Sequence, residues 1–290
     1  METRWLYRTA GDFDELRKAA CDTCVIPMGC VEKHGIHLPL GTDIIHSSHI
    51  AYMASQLETV CVFPDFVFGD VPEAFPNMPA GSITLPVDTE MLLLEQLCEQ
   101  IARHGYRKIL VYNGHGGNGP WLSTFLRKLA NKQRNFVLAT CMMKLPVPHK
   151  MAEMILEKGR GCIPELSTED EDLILKYHEQ GMKIGHGCMS ETAFVMGVAP
   201  EAVHLDLLGI EDGQSTHVAD YFAEAGLSIR CGGFERNYPN RFGGDDPVGC
   251  NERIAKAALR LEAERLAHAI KVYKEDEKLW NWLQEDQQGW

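Results

Sequence analysis

Lys108-Ile109-Leu110-Val111-Tyr112-Asn113-Gly114-His115-Gly116-Gly117-Asn118 is the stretch on which the fold turns. Lys108 to Tyr112 is a short apolar run with the length and composition of a buried strand. It stops at a glycine-rich turn, and a helix is predicted from about Pro120 to Lys132. A further strand is predicted over Phe136 to Met143. The same alternation runs upstream. Val25 to Cys30 reads as a buried strand, Asp43 to Leu57 as a helix and Val60 to Pro64 as a strand. Asp88 and Thr89 read as the cap region of a helix over Glu90 to His104 that Gly105 ends. Strands alternating with helices predict an α/β fold, a layered α/β/α arrangement with a mostly parallel central sheet. In such sheets ligands bind beyond the carboxyl ends of the strands.

Downstream the pattern is looser. Lys144 to Gly161 reads as a loop with a short helix, and Ser167 opens a helix to about Met182. Glu191 starts a short helix that ends before Pro200. Ser228 to Gly249 is rich in Gly, Asn and Pro and reads as irregular, and Asn251 to about Gln284 reads as one long helix, broken once. No repeat or low-complexity linker divides the chain, so residues 1–290 are expected to form a single domain with a long C-terminal helix.

The net charge of −13 opposes binding to phosphate backbones, so no nucleic-acid partner is expected. No apolar run approaches the roughly 20 residues of a membrane span. Met1 to Ala10 lacks the apolar core of a secretory signal, and a cytoplasmic location is expected. The ten cysteines are then read as reduced thiols. Cys21 and Cys24 form a lone C-x-x-C, a weak motif for a redox pair or half a zinc site without a second such pair.

The most informative chemistry lies in Gly29-Cys30-Val31-Glu32-Lys33-His34-Gly35-Ile36-His37-Leu38-Pro39-Leu40-Gly41-Thr42-Asp43. It leaves a strand and supplies two carboxylates and two imidazoles. Glu32 and His34 are two apart, so on extended backbone they point to one side. Zinc, manganese and iron all accept such nitrogen and oxygen donors. The Asn113–Asn118 turn repeats the logic by presenting His115 beyond a strand end, and as a phosphate cradle it lacks the lysine of a P-loop. A third cluster, Gly185-His186-Gly187-Cys188-Met189-Ser190-Glu191-Thr192, joins a histidine in a glycine loop to a glutamate at a helix start. Taken alone, Ser190 and Glu191 suit a plain helix cap equally well.

Together these clusters resemble the creatinine amidohydrolase (creatininase) family. Its members carry E-x-H-G-x-H-x-P-L-x-x-D, N-G-H-G-G-N and H-x-G-x-x-E-T segments. Here the first two read as Glu32 to Asp43 and Asn113 to Asn118, and His186 to Thr192 keeps the histidine, glutamate and threonine of the third. Phe75 to Leu85, with Pro76, Gly81 and Ser82, resembles the family's F-P-G-T-I-S-L region with four extra residues. The likeness spans roughly residues 20 to 205.

The resemblance implies two divalent ions (Zn2+, Mn2+ or Fe2+), with Asp43 bridging them, Glu32 and His115 holding one and His34 the other. Creatinine-cleaving members take a further ligand from a glutamate two residues after the histidine of the N-G-H turn. Gly117 stands there, so Glu191 or water would complete that shell. None of the five tryptophans lies in the 150–185 loop, where those members wall in the creatinine ring. Both departures point to another branch, and such branches include a formamide-cleaving deformylase of deazaflavin biosynthesis and a peptidase of mycofactocin maturation. The implied reaction is attack of a metal-bound hydroxide on the non-peptide amide carbonyl of a small molecule, either a cyclic amide or a formamide. His186 and Glu191 are the candidate catalytic residues, with His186 as the acid for the leaving nitrogen. His37, Gly116, Gly117 and Asn118 are the candidate substrate contacts, and His37 could instead orient a carboxylate.

His46 and His49, three apart on the helix after Asp43, read as a packed or exposed helix face. A non-catalytic binding or regulatory protein on the same fold is the competing reading, and dehydration or epimerisation of a cyclic substrate is another. The resemblance also implies a homo-oligomer, commonly a hexamer. Leu279, Trp280, Trp282 and Leu283 would form either an interface or part of the chain's own core.

Overall fold

The computed structural model describes residues 1–71, 79–143, 145–227 and 233–288. Strands β1 (Thr23–Met28), β2 (Cys61–Val62), β3 (Lys108–Asn113) and β4 (Val137–Met142) form one parallel sheet in the order β2-β1-β3-β4. The helices in chain order are α1 (Phe13–Ala19), α2 (Thr42–Leu57), α3 (Val87–Arg103), α4 (Asn118–Ala130), α5 (His149–Lys158) and α6 (Thr168–Glu179). They continue with α7 (Met189–Met196), α8 (Asp220–Glu224), α9 (Gly233–Asn237), α10 (Glu252–Glu275) and α11 (Lys278–Gln287).

The pleat of the central strands sorts their side chains into two layers. Val25, Leu110 and Tyr112 face one side, where Ile50 of α2, Phe194 of α7 and Leu266 of α10 cover them. Cys24, Ile26, Ile109 and Val111 face the other, against Leu94 of α3 and Phe125 of α4. Both faces of β1 are fully buried, which is why these strands read as continuous apolar runs. Each large side chain removed from water in this way contributes about 1.5–3 kcal/mol. The α/β fold with a parallel central sheet is therefore as expected.

Some local expectations need correction. Val60 to Pro64 pairs only at Cys61–Val62, since Pro64 has no N–H to extend the ladder. α3 starts at Val87, before Asp88 and Thr89, because the Pro86 carbonyl accepts from Thr89 N and Glu90 N. The C-terminal helix signal is broken once, as expected, into α10 and α11. Asp276 takes extended backbone, and its Oδ1 accepts from Lys278 N at 3.0 Å and Leu279 N at 2.8 Å, capping α11. Asn251 caps α10 in the same way. Cys21 is exposed while Cys24 lies in the core, so the C-x-x-C does not bring two thiols to one point. Leu283 is buried and Leu279 and Trp280 pack on the core, which leaves Trp282 as the exposed member of that group. Phe75 and Pro76 lie outside the described residues, whereas Ser82 does pack on the metal-ligand segment. It accepts from Lys33 N at 3.0 Å, beside a bridge between Val31 and Ile83.

Candidate metal centre

β1 and β3 end side by side, Met28 opposite Asn113, and each is followed by donor residues. Beyond β1 the chain turns through Glu32 and His34 and enters α2, whose first turn carries Asp43. The helix start lies directly on the strand end: a Cβ at Gly29 would sit 2.5 Å from Ile44 N. A carboxylate in a first helical turn is also favoured by the helix dipole. Beyond β3, Asn113 locks the turn. Its Oδ1 accepts from His115 N at 3.1 Å, and its Nδ2 donates to the His115 carbonyl at 2.7 Å. His186 and Glu191 come from the loop before α7 and its first turn.

The donor atoms converge on Asp43. Its Oδ2 lies 2.9 Å from His115 Nδ1, and its Oδ1 lies 3.3 Å from His34 Nε2. Glu32 Oε2 is 3.3 Å from His115 Nδ1. Glu191 Oε2 is 3.7 Å from His34 Nε2. His34 Nδ1 bonds the Glu32 carbonyl and His115 Nε2 bonds the Asp70 carbonyl, which fixes both rings with the other nitrogen facing the cluster. Glu32, His34, Asp43 and His115 are all buried.

Without a cation this cluster is electrostatically frustrated. Burial pushes the Glu32 carboxyl up to about 7. Burial acts the same way on Asp43, but His34 and the His115 hydrogen bond hold it well below the usual carboxylate range. Burial opposes charge on His34, yet Asp43 and Glu191 raise it to about 10. His115 rises to about 9 against its own burial, through Asp43 and Glu32. Glu191 is raised by burial. His34 Nε2 is buried with no hydrogen-bond partner. A buried imidazole nitrogen that makes no hydrogen bond, with carboxylate oxygens at 3.3 and 3.7 Å, fits a divalent cation.

The cavity in front of the cluster, about 380 Å3, is lined by Glu32, His115, Gly116, Gly117, His186 and Glu191, with Met142, Met143 and Phe234 as apolar wall. His186 stacks on His34, ring centroids 3.8 Å apart, and bonds the Lys33 carbonyl through Nε2 at 2.8 Å. Burial, with His34 alongside, holds His186 well below its ordinary pKa, as neutral imidazole.

Glu32, His34, Asp43, His115, His186 and Glu191 are thus brought together, and Gly116 and Gly117 border the cavity. His37 and Asn118 do not line it. His37 Nε2 bonds the Gly187 carbonyl at 2.8 Å. Asn118 spends its amide on Asp70 N, Trp121 Nε1 and Asn113 Oδ1, so both residues are engaged within the scaffold. His46, read as a helix face, is buried with its Nε2 3.7 Å from Asp43 Oδ1. Sequence reasoning also missed Met142, Met143, Phe234 and Cys30. No spacing pattern marks the first three, whereas Cys30 stands inside the quoted segment, two residues before Glu32.

A parallel α/β sheet with a buried carboxylate–imidazole cluster at its carboxyl edge defines a metallohydrolase-like architecture. The creatininase family model, described as creatinine amidohydrolase, matches residues 7–270. A creatinine amidohydrolase of Pseudomonas putida is 26% identical over 197 residues, covering 66% of this chain and 70% of that protein. A 2-amino-5-formylamino-6-ribosylaminopyrimidin-4(3H)-one 5'-monophosphate deformylase of Methanobrevibacter ruminantium is 28% identical over 171 residues, covering 54% and 67%. Among solved structures, a putative creatinine amidohydrolase from Bacteroides fragilis superposes with TM-score 0.68 at 22% identity, covering 96% of this chain and 99% of that one. A manganese creatininase gives 0.67 at 19%, covering 95% and 100%. A zinc–zinc creatininase variant gives 0.66 at 18%, also covering 95% and 100%.

The chain belongs to the creatininase family. Membership makes it a metal-dependent hydrolase of the class that acts on carbon–nitrogen bonds other than peptide bonds.

Proposed function

We propose that this chain is a dinuclear amidohydrolase that opens a cyclic amide or cleaves a formamide on a small molecule. The observation that carries this reading is the position of Asp43. Its Oδ2 faces Glu32 and His115, and its Oδ1 faces His34, with Glu191 beyond. One carboxylate therefore serves two donor sets, Glu32–Asp43–His115 and His34–Asp43–Glu191. Zinc, manganese or iron suits both sets. Two bound ions supply a water that loses its proton near neutral pH and a Lewis acid for the carbonyl oxygen.

The chain's own residues do the rest. His186 is neutral and spends its Nε2–H on the Lys33 carbonyl. Its Nδ1 lone pair is then the acceptor for the proton of the attacking water. The same nitrogen hands that proton to the leaving amine, so His186 acts first as base and then as acid. Met142, Met143 and Phe234 exclude bulk water from the reacting bond. Gly116 and Gly117 leave main chain, with no side chain, against the substrate. A cavity of this size suits a small molecule rather than an extended peptide.

The whole chain is read as one domain, because Ile254, Leu266 and Ile270 of α10 share a core with α2 and α7. No helix among the described residues is long and apolar enough to cross a membrane, and a cytoplasmic location fits that. A homo-oligomer, a hexamer included, is proposed from the family, with exposed Trp282 as a candidate contact; light scattering of the purified protein tests it.

The function is tested by plasma mass spectrometry of the native protein and of Asp43→Ala, followed by assays on cyclic amides and on formamides. Two ions per native chain, both lost in the variant together with hydrolysis, are expected. An Asp43→Ala protein that keeps both ions and full activity would overturn the reading.

A further inference from the structure

One donor near Asp43 is a sulfur. Cys30 Sγ lies 3.0 Å from Asp43 Oδ2 and 3.7 Å from Glu32 Oε2, and the thiol is fully buried. Those are the two oxygens that also face His115 Nδ1, at 2.9 and 3.3 Å. The donor atoms of Cys30, Glu32, Asp43 and His115 all lie within 4.8 Å of one another. With ordinary zinc bond lengths, the edge of a tetrahedron is about 3.6 Å between sulfur and oxygen and about 3.4 Å between nitrogen and oxygen. The two sulfur–oxygen gaps bracket their edge, and the two nitrogen–oxygen gaps fall short of theirs by about 0.1 and 0.5 Å. A thiol that only donates a hydrogen bond needs one acceptor, yet Cys30 faces two carboxylates that a third group, His115, also faces. Across Asp43, His34 Nε2 is buried without a hydrogen bond, with Asp43 Oδ1 at 3.3 Å and Glu191 Oε2 at 3.7 Å, a second set of donors around the same carboxylate.

We infer that Cys30 is a thiolate ligand, completing a Cys30–Glu32–Asp43–His115 shell around the ion on that side of Asp43. This rests on the dinuclear reading above. The thiol proton passes to buffer as the ion enters. Four protein donors close that position, and Cys30 itself does not line the cavity. The ion beside His34 and Glu191 is left with the open position. Thiolate also favours zinc over manganese there.

The test strips the full-length protein of metal, reloads it with Co2+ and counts bound ions while recording the absorption spectrum. Two Co2+ per chain with a near-ultraviolet sulfur-to-cobalt charge-transfer band are expected. The band should be lost in Cys30→Ser and kept in Cys98→Ser, whose thiol lies on the buried face of α3 in the core layer shared with α4. X-ray absorption of the native zinc protein needs no variant and should show a sulfur scatterer at about 2.3 Å. Two bound Co2+ without the band, or zinc with only light scatterers, would overturn the ligand role while leaving the dinuclear centre standing. Failure to bind any metal would overturn both.

Discussion

Glu191 Oε2 stands 3.7 Å from His34 Nε2, so the first turn of α7 brings a carboxylate to the side of Asp43 that faces His34. Position 117 of the N-G-H turn is glycine and supplies none. A Cβ at Gly117 would meet the Asp70 carbonyl at 2.3 Å and His115 Nε2 at 2.4 Å. The Asp70 carbonyl and the His115 ring thus leave no room for a side chain at position 117.

Glu191→Gln is expected to release the ion held with His34 and keep the other, lowering kcat by roughly 10²–10³. Gly117→Glu should not rescue it. Overpacking against Asp70 and His115 should instead cost about 1–3 kcal/mol of stability. Plasma mass spectrometry and urea unfolding measure both effects, and a Glu191→Gln/Gly117→Glu protein that regains both ions would contradict this account.

His186→Ala should keep its metal and its KM but lose roughly 10²–10⁴ in kcat. The acid–base role predicts that the remaining rate also loses its pH dependence between the two limbs of the profile. An unchanged profile would assign His186 to packing on His34 instead.

Glu90 is buried with both carboxylate oxygens unpartnered. Burial, helped by the charge of Asp70, raises it from 4.5 to about 7. The folded state thus holds the proton more tightly than the unfolded chain, so the contribution of Glu90 to stability falls as pH rises from about 4.5 to about 7. Glu90→Gln should be near neutral at pH 5 and stabilising by on the order of 1–3 kcal/mol at pH 8. Equal effects at the two values, from urea midpoints, would refute the assignment.

Asp170 shows the opposite sign. Burial alone would raise it, but Arg253, the Ser167 N–H and Asn251 hold it well below 3.8. It closes the capping box of α6 and ties that helix to the start of α10. Its contribution is complete above the unfolded value and is lost as pH falls toward the folded one. Asp170→Asn should therefore cost about 1–3 kcal/mol at pH 7 and progressively less below pH 4. A penalty that grows on acidification would rule this out.

Much of the centre was legible because it is local. Glu32, His34 and Asp43 belong to one turn between β1 and α2, and His115 to one turn after β3, so their order and spacing already present donors at strand ends. Glu191 is different. Before folding it is a capping glutamate like many others, and only the packing of α7 against α2 carries it to His34 across more than a hundred residues of chain. His37 and Asn118 show the converse: they sit inside the motifs, but their hydrogen bonds turn inward to Gly187 and to Asn113, Trp121 and Asp70.

The sequence by itself determined the alternation of buried strands and helices, the parallel sheet that follows from it, and the chemical kinds of donor at the strand ends. Periodicity and turn chemistry act over a few residues and are written in order along the chain. The tertiary structure alone decided which carboxylate stands at His34, that Cys30 shares the oxygens of Asp43 and Glu32, and that Met142, Met143 and Phe234 wall the cavity. The carboxylate at His34 and the cavity wall join segments far apart in the chain, and the Cys30 contacts depend on how the turn after β1 folds back onto α2, so these distances are set by packing.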